Sequence, residues 1–289
     1  MTAVLAIDIG GTKLAAGVVV REGVIMRQAA APTPEGTDPE ALFTALMAVV
    51  DEALDNNDED LLACGVGCGG PMLDGLVSPL NIPAWRDFPL GARVADAADL
   101  PTFVENDAKA LALAEGWRGA AAGERSYLAM VVSTGVGGGL VVDGRLLDGV
   151  DGNAGHIGHM IVEPEGALCG CGARGCLEAE ASGTAIRRAT GRAAEEAGLD
   201  VVERTGTLVG RAVGSVCNLL DLRLAVVAGS VALGFGEPFF RAAQDEVDRV
   251  CRLAFSRGAL IVPAGLGSKG PLVGAAGVAW RGLGAKWVL

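Results

Sequence analysis

Short aliphatic segments alternate with tight turns in the first thirty residues of the chain. Residues 4–9 and 14–20 are almost wholly apolar and predict two buried strands joined by a Gly-Gly-Thr turn. A turn at Glu22-Gly23 and the segment 24–28 then predict a third strand that pairs back on the second. This pattern predicts an antiparallel meander.

Helical and strand periods alternate along the rest of the chain. In residues 39–54, apolar residues recur every three or four positions, and Pro39 stands where the first turn of a helix tolerates proline. Other predicted strands are 61–68, 102–105, 127–133, 140–142, 224–227 and 260–263, and other predicted helices are 108–117, 207–220, 238–253 and 271–280. A strand with a glycine-rich turn occurs twice, near positions 10 and 135, which favours two similar α/β halves facing each other across a cleft.

Composition and charge narrow the class of protein. Of the 289 residues, 51% are hydrophobic and 20% charged, so the chain has enough apolar material for a core and disorder is not expected. The formal net charge of −12 disfavours nucleic acid and membranes as partners. The seven cysteines are odd in number, no basic leader precedes the first strand, and no apolar run approaches a membrane span, so we expect a reduced, cytoplasmic protein.

The first candidate site is Asp8-Ile-Gly-Gly-Thr-Lys13, the first glycine motif. Gly10 and Gly11 allow the backbone to turn tightly and to approach an anion closely. Asp8, at the strand end, is placed to hold a hydrated Mg²⁺, and Thr12 and Lys13 are donors suited to phosphate oxygens. A plain hairpin turn remains an open alternative at this point.

The second candidate site is Ser133-Thr-Gly-Val-Gly-Gly-Gly139, the second glycine motif, which follows a predicted strand. Four glycines in five positions cost conformational entropy, which a loop that binds phosphate would justify. A strand and not a helix is predicted next, so the spacing does not fit a dinucleotide-binding fold, and the Gly-Lys-Ser/Thr ending of a P-loop is absent from the sequence. A bulged hairpin is the alternative.

One histidine and three cysteines occur within eighteen residues and predict a metal loop, residues 159–176. His159, Cys169, Cys171 and Cys176 are the ligand types of a closed, tetrahedral, structural zinc site. Three free thiols near a surface loop are the alternative. The remaining cysteines lie in apolar strand or helix patterns and are expected to be small buried residues: Cys64, Cys68, Cys217 and Cys251.

Acidic and amide residues at Glu105-Asn106-Asp107 mark a predicted junction between a strand and a helix. A carboxylate at such a junction is placed to act as a general base toward a substrate hydroxyl. Asn or Asp directly before an apolar helix is also a common N-cap. Both interpretations are open from these three residues alone.

Taken together, these motifs resemble the ROK family (repressors, open reading frames and kinases), which includes bacterial glucokinases and kinases of N-acetylated amino sugars. The resemblance covers nearly the whole chain and extends to residues 143–147, 152–159 and 169–178. It implies an α/β, two-domain actin/hexokinase/Hsp70-like (ribonuclease H-like) fold with a central cleft. We expect one lobe of residues 1–117 and 271–289, a second of residues 118–270 that carries the metal loop, and a homodimer.

The resemblance also implies roles for individual residues. Asp107 would be the catalytic base, and Asn106 and Asn81 would line the sugar site. His159 would bind zinc through one ring nitrogen and sugar through the other, and Glu178 would bind a sugar hydroxyl. ATP, Mg²⁺ and structural Zn²⁺ are the implied cofactors. The residues implied to bind nucleotide and Mg²⁺ are Asp8, Gly10, Gly11, Thr12, Lys13, Thr134, Gly135, Gly137, Gly138 and Gly229.

The chain departs from the family pattern at His156, where the family usually has Glu. A carboxylate only accepts hydrogen bonds, whereas a neutral imidazole has one donor and one acceptor. The change is expected to weaken binding of glucose near the anomeric carbon. A cyclitol or modified sugar as substrate, a slower glucokinase, and a sugar-binding protein without catalysis are the open alternatives.

The resulting prediction is an ATP-dependent kinase that phosphorylates the primary (6-type) hydroxyl of a hexose such as glucose or an amino sugar. Polyphosphate as an alternative phosphoryl donor is not excluded by the sequence. Because the first glycine motif begins at Asp8, we expect no DNA-binding helix-turn-helix of the kind that the family's repressors carry.

Overall fold

The computed structural model describes residues 2–36, 38–73, 75–286 and 288. The strands are β1 (Thr2–Ile9), β2 (Lys13–Val20), β3 (Ile25–Pro32), β4 (Asp60–Cys68), β5 (Met72–Leu73), β6 (Leu76–Val77), β7 (Thr102–Asn106), β8 (Tyr127–Val132), β9 (Val136–Val142), β10 (Arg145–Leu146), β11 (Leu224–Ala228) and β12 (Leu260–Pro263). The helices are α1 (Pro39–Leu54), α2 (Leu90–Ala98), α3 (Asp107–Arg118), α4 (Leu177–Ala181), α5 (Gly183–Thr190), α6 (Leu199–Leu220), α7 (Ser230–Phe235), α8 (Glu237–Val250) and α9 (Gly270–Gly282).

The chain folds into two compact units. Unit 1 comprises Met1–Ala122, Asp148–Ala154 and Leu266–Leu289, and unit 2 comprises Gly123–Leu147 and Gly155–Gly265. These units differ from the predicted lobes chiefly at the segment Asp148–Ala154, which packs with unit 1. None of the helices in the described part of the chain combines the length and apolar character needed to cross a bilayer.

The sheet of unit 1 has the strand order β3-β2-β1-β4-β7. Strands β1, β2 and β3 form the predicted antiparallel meander, and β4 and β7 run parallel to β1. Asp8 of β1 lies opposite Gly67 of β4, and Cys68 lies opposite Asn106 of β7. The carboxyl ends of the three parallel strands therefore meet at one edge of the sheet, where open α/β sheets bind ligands.

Helix α1 covers one face of this sheet and has the bounds that the sequence predicts. Asp38 caps it by accepting hydrogen bonds from the N–H groups of Glu40 and Ala41 at 2.9 and 3.3 Å. The predicted apolar face is buried against β2 and β3. Helix α9 lies against β4 so closely that a side chain at Gly65 would overlap the Ala275 carbonyl oxygen.

The sheet of unit 2 repeats this plan in the order β10-β9-β8-β11-β12. β8, β9 and β10 form an antiparallel meander, and β11 and β12 are parallel to β8. The repeated meander is thus confirmed, but the predicted start of its second strand at Leu140 was wrong. β9 begins at Val136, so Gly137, Gly138 and Gly139 lie within the strand. A Cβ at Gly138 would lie 2.9 Å from Ile157 Cγ2 and 3.0 Å from the Gly155 carbonyl oxygen, so glycine allows close packing at this position of the strand.

Helices α6 and α8 pack against each other in unit 2, and α8 lies against β12. Helix α6 begins at Leu199, eight residues before the predicted start, and it presents Gly206, Gly210 and Gly214 to α8. A side chain at Gly210 would overlap the Ala243 carbonyl oxygen, so glycine permits this close approach. Helices α2, α4, α5 and α7 were not predicted, and each has nine residues or fewer, too few for a clear helical period.

Candidate active site and metal centre

The junction between β7 and α3 gives Asn106 and Asp107 different structural roles. Asn106 is the N-cap, because its Oδ1 accepts hydrogen bonds from the N–H groups of Ala108 and Lys109 at 3.0 and 3.3 Å. Its Nδ2 donates to the Gly70 carbonyl oxygen at 3.4 Å. Asp107 is the first residue of α3, is open to solvent, and accepts the Ala108 N–H through Oδ1 at 2.8 Å. Since Asn106 supplies the cap, Asp107 is available for other chemistry.

Two carboxyl groups lie at the carboxyl edge of the unit 1 sheet. Burial, the negative charge of Asp107 and, in the opposite sense, the charge of Lys13 together raise the pKa of Asp8 to about 7. Desolvation by the surrounding protein atoms also raises the pKa of the Asp107 carboxyl, and the hydrogen bond from the Ala108 N–H opposes this shift. Two carboxylates at one edge make this region favourable for a cation.

The first glycine motif lies beside the same edge. Gly10 donates its N–H to the Lys13 carbonyl oxygen at 2.9 Å, which closes the tight turn, and Thr12 and Lys13 are exposed. A Cβ at Gly11 would lie 2.8 Å from Asn81 Nδ2, so the predicted sugar-site residue Asn81 contacts this motif. Unit 1 therefore brings together every site residue predicted in it, which are Asp8, Gly10, Gly11, Thr12, Lys13, Asn81, Asn106 and Asp107.

Sequence reasoning missed the glycines that make this edge accessible. A Cβ at Gly69 would lie 3.4 Å from Asp107 Oδ2 and 3.8 Å from Asn81 Oδ1, and a Cβ at Gly67 would lie 3.6 Å from Asp8 Oδ1. The absence of side chains here leaves these three polar groups uncovered. The signal was present in the sequence, because glycines cluster directly where β4 ends.

Sequence reasoning also missed a buried lysine two residues after Asp107 in α3. The side chain of Lys109 is 2% exposed, and its Nζ lies 3.0 Å from Glu105 Oε1 and 3.1 Å from Asp148 Oδ1. It also donates to the Gly152 carbonyl oxygen at 3.0 Å. Arg281 lies 3.0 Å from Asp148 and 3.5 Å from Glu105, which completes a charge network. This network fixes the segment Asp148–Ala154 to unit 1.

The metal loop of unit 2 brings the four predicted ligands together. One ligand atom from each of His159, Cys169, Cys171 and Cys176 lies within 4.8 Å of the others. His159 Nδ1 is 3.7 Å from Cys169 Sγ, and Cys171 Sγ is 3.7 Å from Cys176 Sγ. A tetrahedral zinc ion with Zn–S bonds of about 2.3 Å separates its sulfur ligands by roughly 3.8 Å. The residues therefore fit a structural zinc ion of the Cys₃His type.

The two histidines of unit 2 have stacked rings near this centre. The ring centroids of His156 and His159 are 6.0 Å apart with an interplanar angle of 24°. His159 directs Nδ1 toward the thiols, which leaves Nε2 for another partner. His156 is exposed, directly before the short 3₁₀ turn Ile157–His159.

The second glycine motif lies against the predicted sugar ligand Glu178. Glu178, the second residue of α4, accepts the Val136 N–H through Oε2 at 3.0 Å. A Cβ at Gly135 would lie 2.8 Å from the same oxygen. On the other side of the motif, Ser133 Oγ is 2.9 Å from Ser230 Oγ. Sequence reasoning had not connected Glu178 with this motif.

The remaining predicted site residues of unit 2 lie close to the backbone at the end of β8 and the start of β9. Gly229 has φ of +102°, and a side chain there would overlap the Val132 carbonyl oxygen. Thr134 is exposed in the turn before β9, whereas Gly137 and Gly138 lie within that strand. The predicted site residues of unit 2 thus form two groups, one at the metal loop and one at the turn between β8 and β9, and Glu178 contacts the second.

Two sequence comparisons, with a family model and with known proteins, find matches over most of the chain. The family model described as "ROK family" matches residues 4–281. The N-acetylmannosamine kinase of Citrobacter koseri is 39% identical over 249 residues, which cover 80% of this chain and 84% of that protein.

Solved structures with the same fold as this chain are also found. The ROK hexokinase of Thermus thermophilus has a TM-score of 0.86 and 35% identity, covering 98% of this chain and 99% of that one. The ROK family glucokinase of Streptomyces griseus, in complex with glucose and AMPPNP, has a TM-score of 0.84 and 32% identity, covering 96% of this chain and 99% of that one. The predicted actin-like α/β fold is confirmed. With a family model that spans nearly the whole chain, this protein belongs to the ROK family.

Proposed function

We propose that the protein is an ATP-dependent sugar kinase that transfers the γ-phosphoryl group to the primary hydroxyl of a hexose or N-acetylated hexosamine. The observation that carries this proposal is the carboxyl edge of unit 1, where Asp107 is open to solvent beside Asp8 and the first glycine motif. The kinase names of relatives 39% and 35% identical to this chain support it.

Asp107 is proposed as the general base. In phosphoryl transfer the protein mainly positions the reacting groups and stabilises charge, and a carboxylate accepts the proton of the attacking hydroxyl. Asn106 caps α3, and Asp107 Oδ2 lies 3.4 Å from the position that a Cβ at Gly69 would take, so the missing side chain leaves this oxygen accessible. The raised pKa of Asp107 makes the carboxylate a better proton acceptor than an ordinary aspartate.

Asp8 is proposed to hold Mg²⁺, directly or through water. A carboxylate oxygen is the ligand type that this cation prefers, and the neighbouring Asp107 adds a second negative charge near Asp8. When bound, Mg²⁺ would neutralise phosphate charge, which matters in a chain of net charge −12. Lys13 and the first glycine motif would donate to phosphate oxygens.

The metal loop is proposed to be structural. Four protein ligands close a zinc coordination shell and leave no position for a reacting group. A zinc ion there would hold the loop that bears His159, whose Nε2 would then be fixed to meet a sugar hydroxyl. Glu178 is proposed as a second sugar ligand.

The choice of sugar is the finer part of the proposal. The relatives named N-acetylmannosamine kinase and the glucokinase bound to glucose make N-acetylmannosamine and glucose the two leading candidates. Because His156 stands where the family usually has a carboxylate near the anomeric carbon, we expect it to disfavour glucose relative to N-acetylmannosamine. We also propose that the protein is a homodimer in the cytoplasm. Light scattering of the purified chain tests the dimer.

A coupled ADP-release assay tests the proposed activity. The panel is N-acetylmannosamine, glucose, mannose, glucosamine, N-acetylglucosamine and C7 cyclitols with Mg-ATP, with polyphosphate as an alternative donor. We expect sugar-dependent ADP release with at least one hexose or hexosamine. Sugar binding by calorimetry with no turnover on any member of the panel, from either donor, would instead identify a sugar-binding protein.

A further inference from the structure

Two side chains behind the second glycine motif hold its backbone by hydrogen bonds. Thr184, the second residue of α5, donates from Oγ1 to the Thr134 carbonyl oxygen at 2.9 Å and from its N–H to the same oxygen at 3.3 Å. Glu178 Oε2 accepts the Val136 N–H at 3.0 Å from the opposite side of the turn. The backbone before and after Gly135 is therefore held by both α4 and α5.

The contact between these helices and the turn is close. Gly183 donates its N–H to the Ser133 carbonyl oxygen at 2.8 Å, and Ser133 donates its own N–H to the Gly135 carbonyl oxygen at 2.9 Å. A Cβ at Gly135 would lie only 2.8 Å from Glu178 Oε2. A side chain at position 135 would therefore displace the Glu178 carboxylate from the Val136 N–H.

Helix α4 begins directly after the metal loop. Cys176 is the residue before α4 and is fully buried, so Glu178 follows a proposed zinc ligand by two positions. Leu177 donates its N–H to the Met160 carbonyl oxygen at 2.8 Å, and Met160 directly follows His159. The start of α4 is thereby tied to two of the four proposed ligands.

We infer that Glu178 and Thr184 are positioning residues that set the backbone of residues 133–136 for nucleotide binding, and that Glu178 transmits the state of the metal loop to this turn. The inference rests on the proposed function, because it takes residues 133–139 as a nucleotide site. It gives Glu178 a second task. A carboxylate has about four lone-pair sites, so one side chain can accept both the Val136 N–H and a sugar hydroxyl.

Thr184 separates this inference from a sugar-binding role of Glu178. The proposed function assigns no sugar contact to Thr184, so loss of its hydroxyl tests only the support of the turn. Thr184→Val removes the Oγ1 donor, and Thr184→Ser keeps it. Thr190→Val is the matched control, because Thr190 lies on the same helix and its Oγ1 donates to the Ile186 carbonyl oxygen at 2.8 Å, away from the turn.

The experiment measures binding of the nonhydrolysable analogue AMPPNP with Mg²⁺ by calorimetry, without sugar. We expect Thr184→Val and Glu178→Ala to weaken binding roughly 3- to 10-fold, the range for loss of one hydrogen bond, and Thr184→Ser and Thr190→Val to bind like wild type. Amide exchange of peptides covering residues 133–137 is expected to accelerate in the two impaired variants.

Removal of the metal gives a readout that does not involve activity. Protein treated with a chelator and returned to Mg²⁺ buffer is expected to show faster amide exchange at residues 133–137 and weaker AMPPNP binding, and both are expected to recover with zinc. Unchanged exchange at residues 133–137 after metal loss would overturn the proposed transmission.

The outcomes also separate this inference from the proposed function. If wild type binds AMPPNP and phosphorylates sugar, but Thr184→Val and Glu178→Ala bind AMPPNP as tightly as wild type, the inference fails and the kinase stands. If wild type binds no AMPPNP, the kinase proposal fails and the inference fails with it. Should Glu178→Ala not fold, the Thr184→Val and Thr184→Ser pair still decides.

Discussion

Lys109 Nζ lies 3.1 Å from Asp148 Oδ1, which joins helix α3 to a segment 39 residues later in the chain. The ammonium is almost completely buried and also neutralises Glu105, whose side chain is 14% exposed. Removing one partner of a buried charge pair leaves the other charge without compensation. The network is therefore expected to contribute strongly to the stability of unit 1.

Lys109→Met is expected to lower the free energy of unfolding by about 1–3 kcal/mol, because Glu105 and the half-exposed Asp148 lose their shared cation. Urea unfolding followed by circular dichroism measures this. Lys269→Met is the control, since Lys269 is exposed and the change should stay within about 0.5 kcal/mol. Equal effects of the two substitutions would mean that the network is not stabilising.

The charge of Asp8 gives a pH prediction for the Mg²⁺-free protein. Its pKa is about 7 in the folded state and about 3.9 in an unfolded chain, so between these values the folded state binds more protons. The contribution of Asp8 therefore destabilises the protein above pH 7, and this penalty disappears as pH falls toward 4. Asp8→Asn should stabilise the protein by about 1–3 kcal/mol at pH 8 and by much less at pH 5.

Chemical unfolding of wild type and Asp8→Asn at pH 5, 6, 7 and 8 measures this difference. Asp107→Asn is a useful companion, because removing the neighbouring charge should lower the pKa of Asp8. Carboxyl carbon NMR follows that titration directly. A stability difference between wild type and Asp8→Asn that is constant across this range would refute the assigned pKa.

The metal centre predicts one zinc ion per chain. Cys176→Ala removes a buried ligand, so we expect loss of the ion, measured by elemental analysis, and a loss of stability above about 1 kcal/mol. Cys64→Ala is the matched control, because Cys64 is a buried thiol in β4 and lies outside the ligand cluster. Retention of zinc by Cys176→Ala would exclude the proposed ligand set.

Several parts of this fold and site follow from the sequence because their causes are local. The helix Pro39–Leu54 has a capping aspartate, an early proline and an apolar face within sixteen residues. The metal ligands lie within eighteen residues of one another, so their type and spacing were enough to predict the cluster.

The features that sequence reasoning missed depend on residues far apart in the chain. Glu178 and Val136 are 42 residues apart, and no local pattern indicates that they meet. The same holds for the start of β9. The glycines from Gly137 onward suggested a loop by intrinsic preference, but Gly138 lies in a strand and packs closely against Gly155 and Ile157.

His156 is expected to set preference at the anomeric end of the sugar. His156→Glu replaces a donor and acceptor with a group that only accepts, so we expect kcat/KM for glucose to rise about tenfold relative to N-acetylmannosamine. His156→Gln is the control, because its amide keeps one donating and one accepting group and should not favour glucose. Steady-state kinetics with both sugars measure the ratio. If Glu and Gln at this position give the same ratio, His156 does not determine specificity.

Asp107→Asn is expected to lower the rate of phosphoryl transfer by about 10²–10⁴-fold while AMPPNP binding persists, because the amide cannot accept the hydroxyl proton as a carboxylate does. Asp143→Asn is the control, since Asp143 is exposed in the turn after β9 and Asn tolerates its φ of +53°.

The proposed phosphoryl transfer to a primary hydroxyl with Asp107 as base is tested most directly by phosphorus NMR of the product formed from Mg-ATP and either N-acetylmannosamine or glucose. We expect a new phosphomonoester signal, split by the two protons of a primary carbon, with wild type and Asp143→Asn but not with Asp107→Asn. Intact ATP with both sugars, or the same product formed at the wild-type rate by Asp107→Asn, would contradict it.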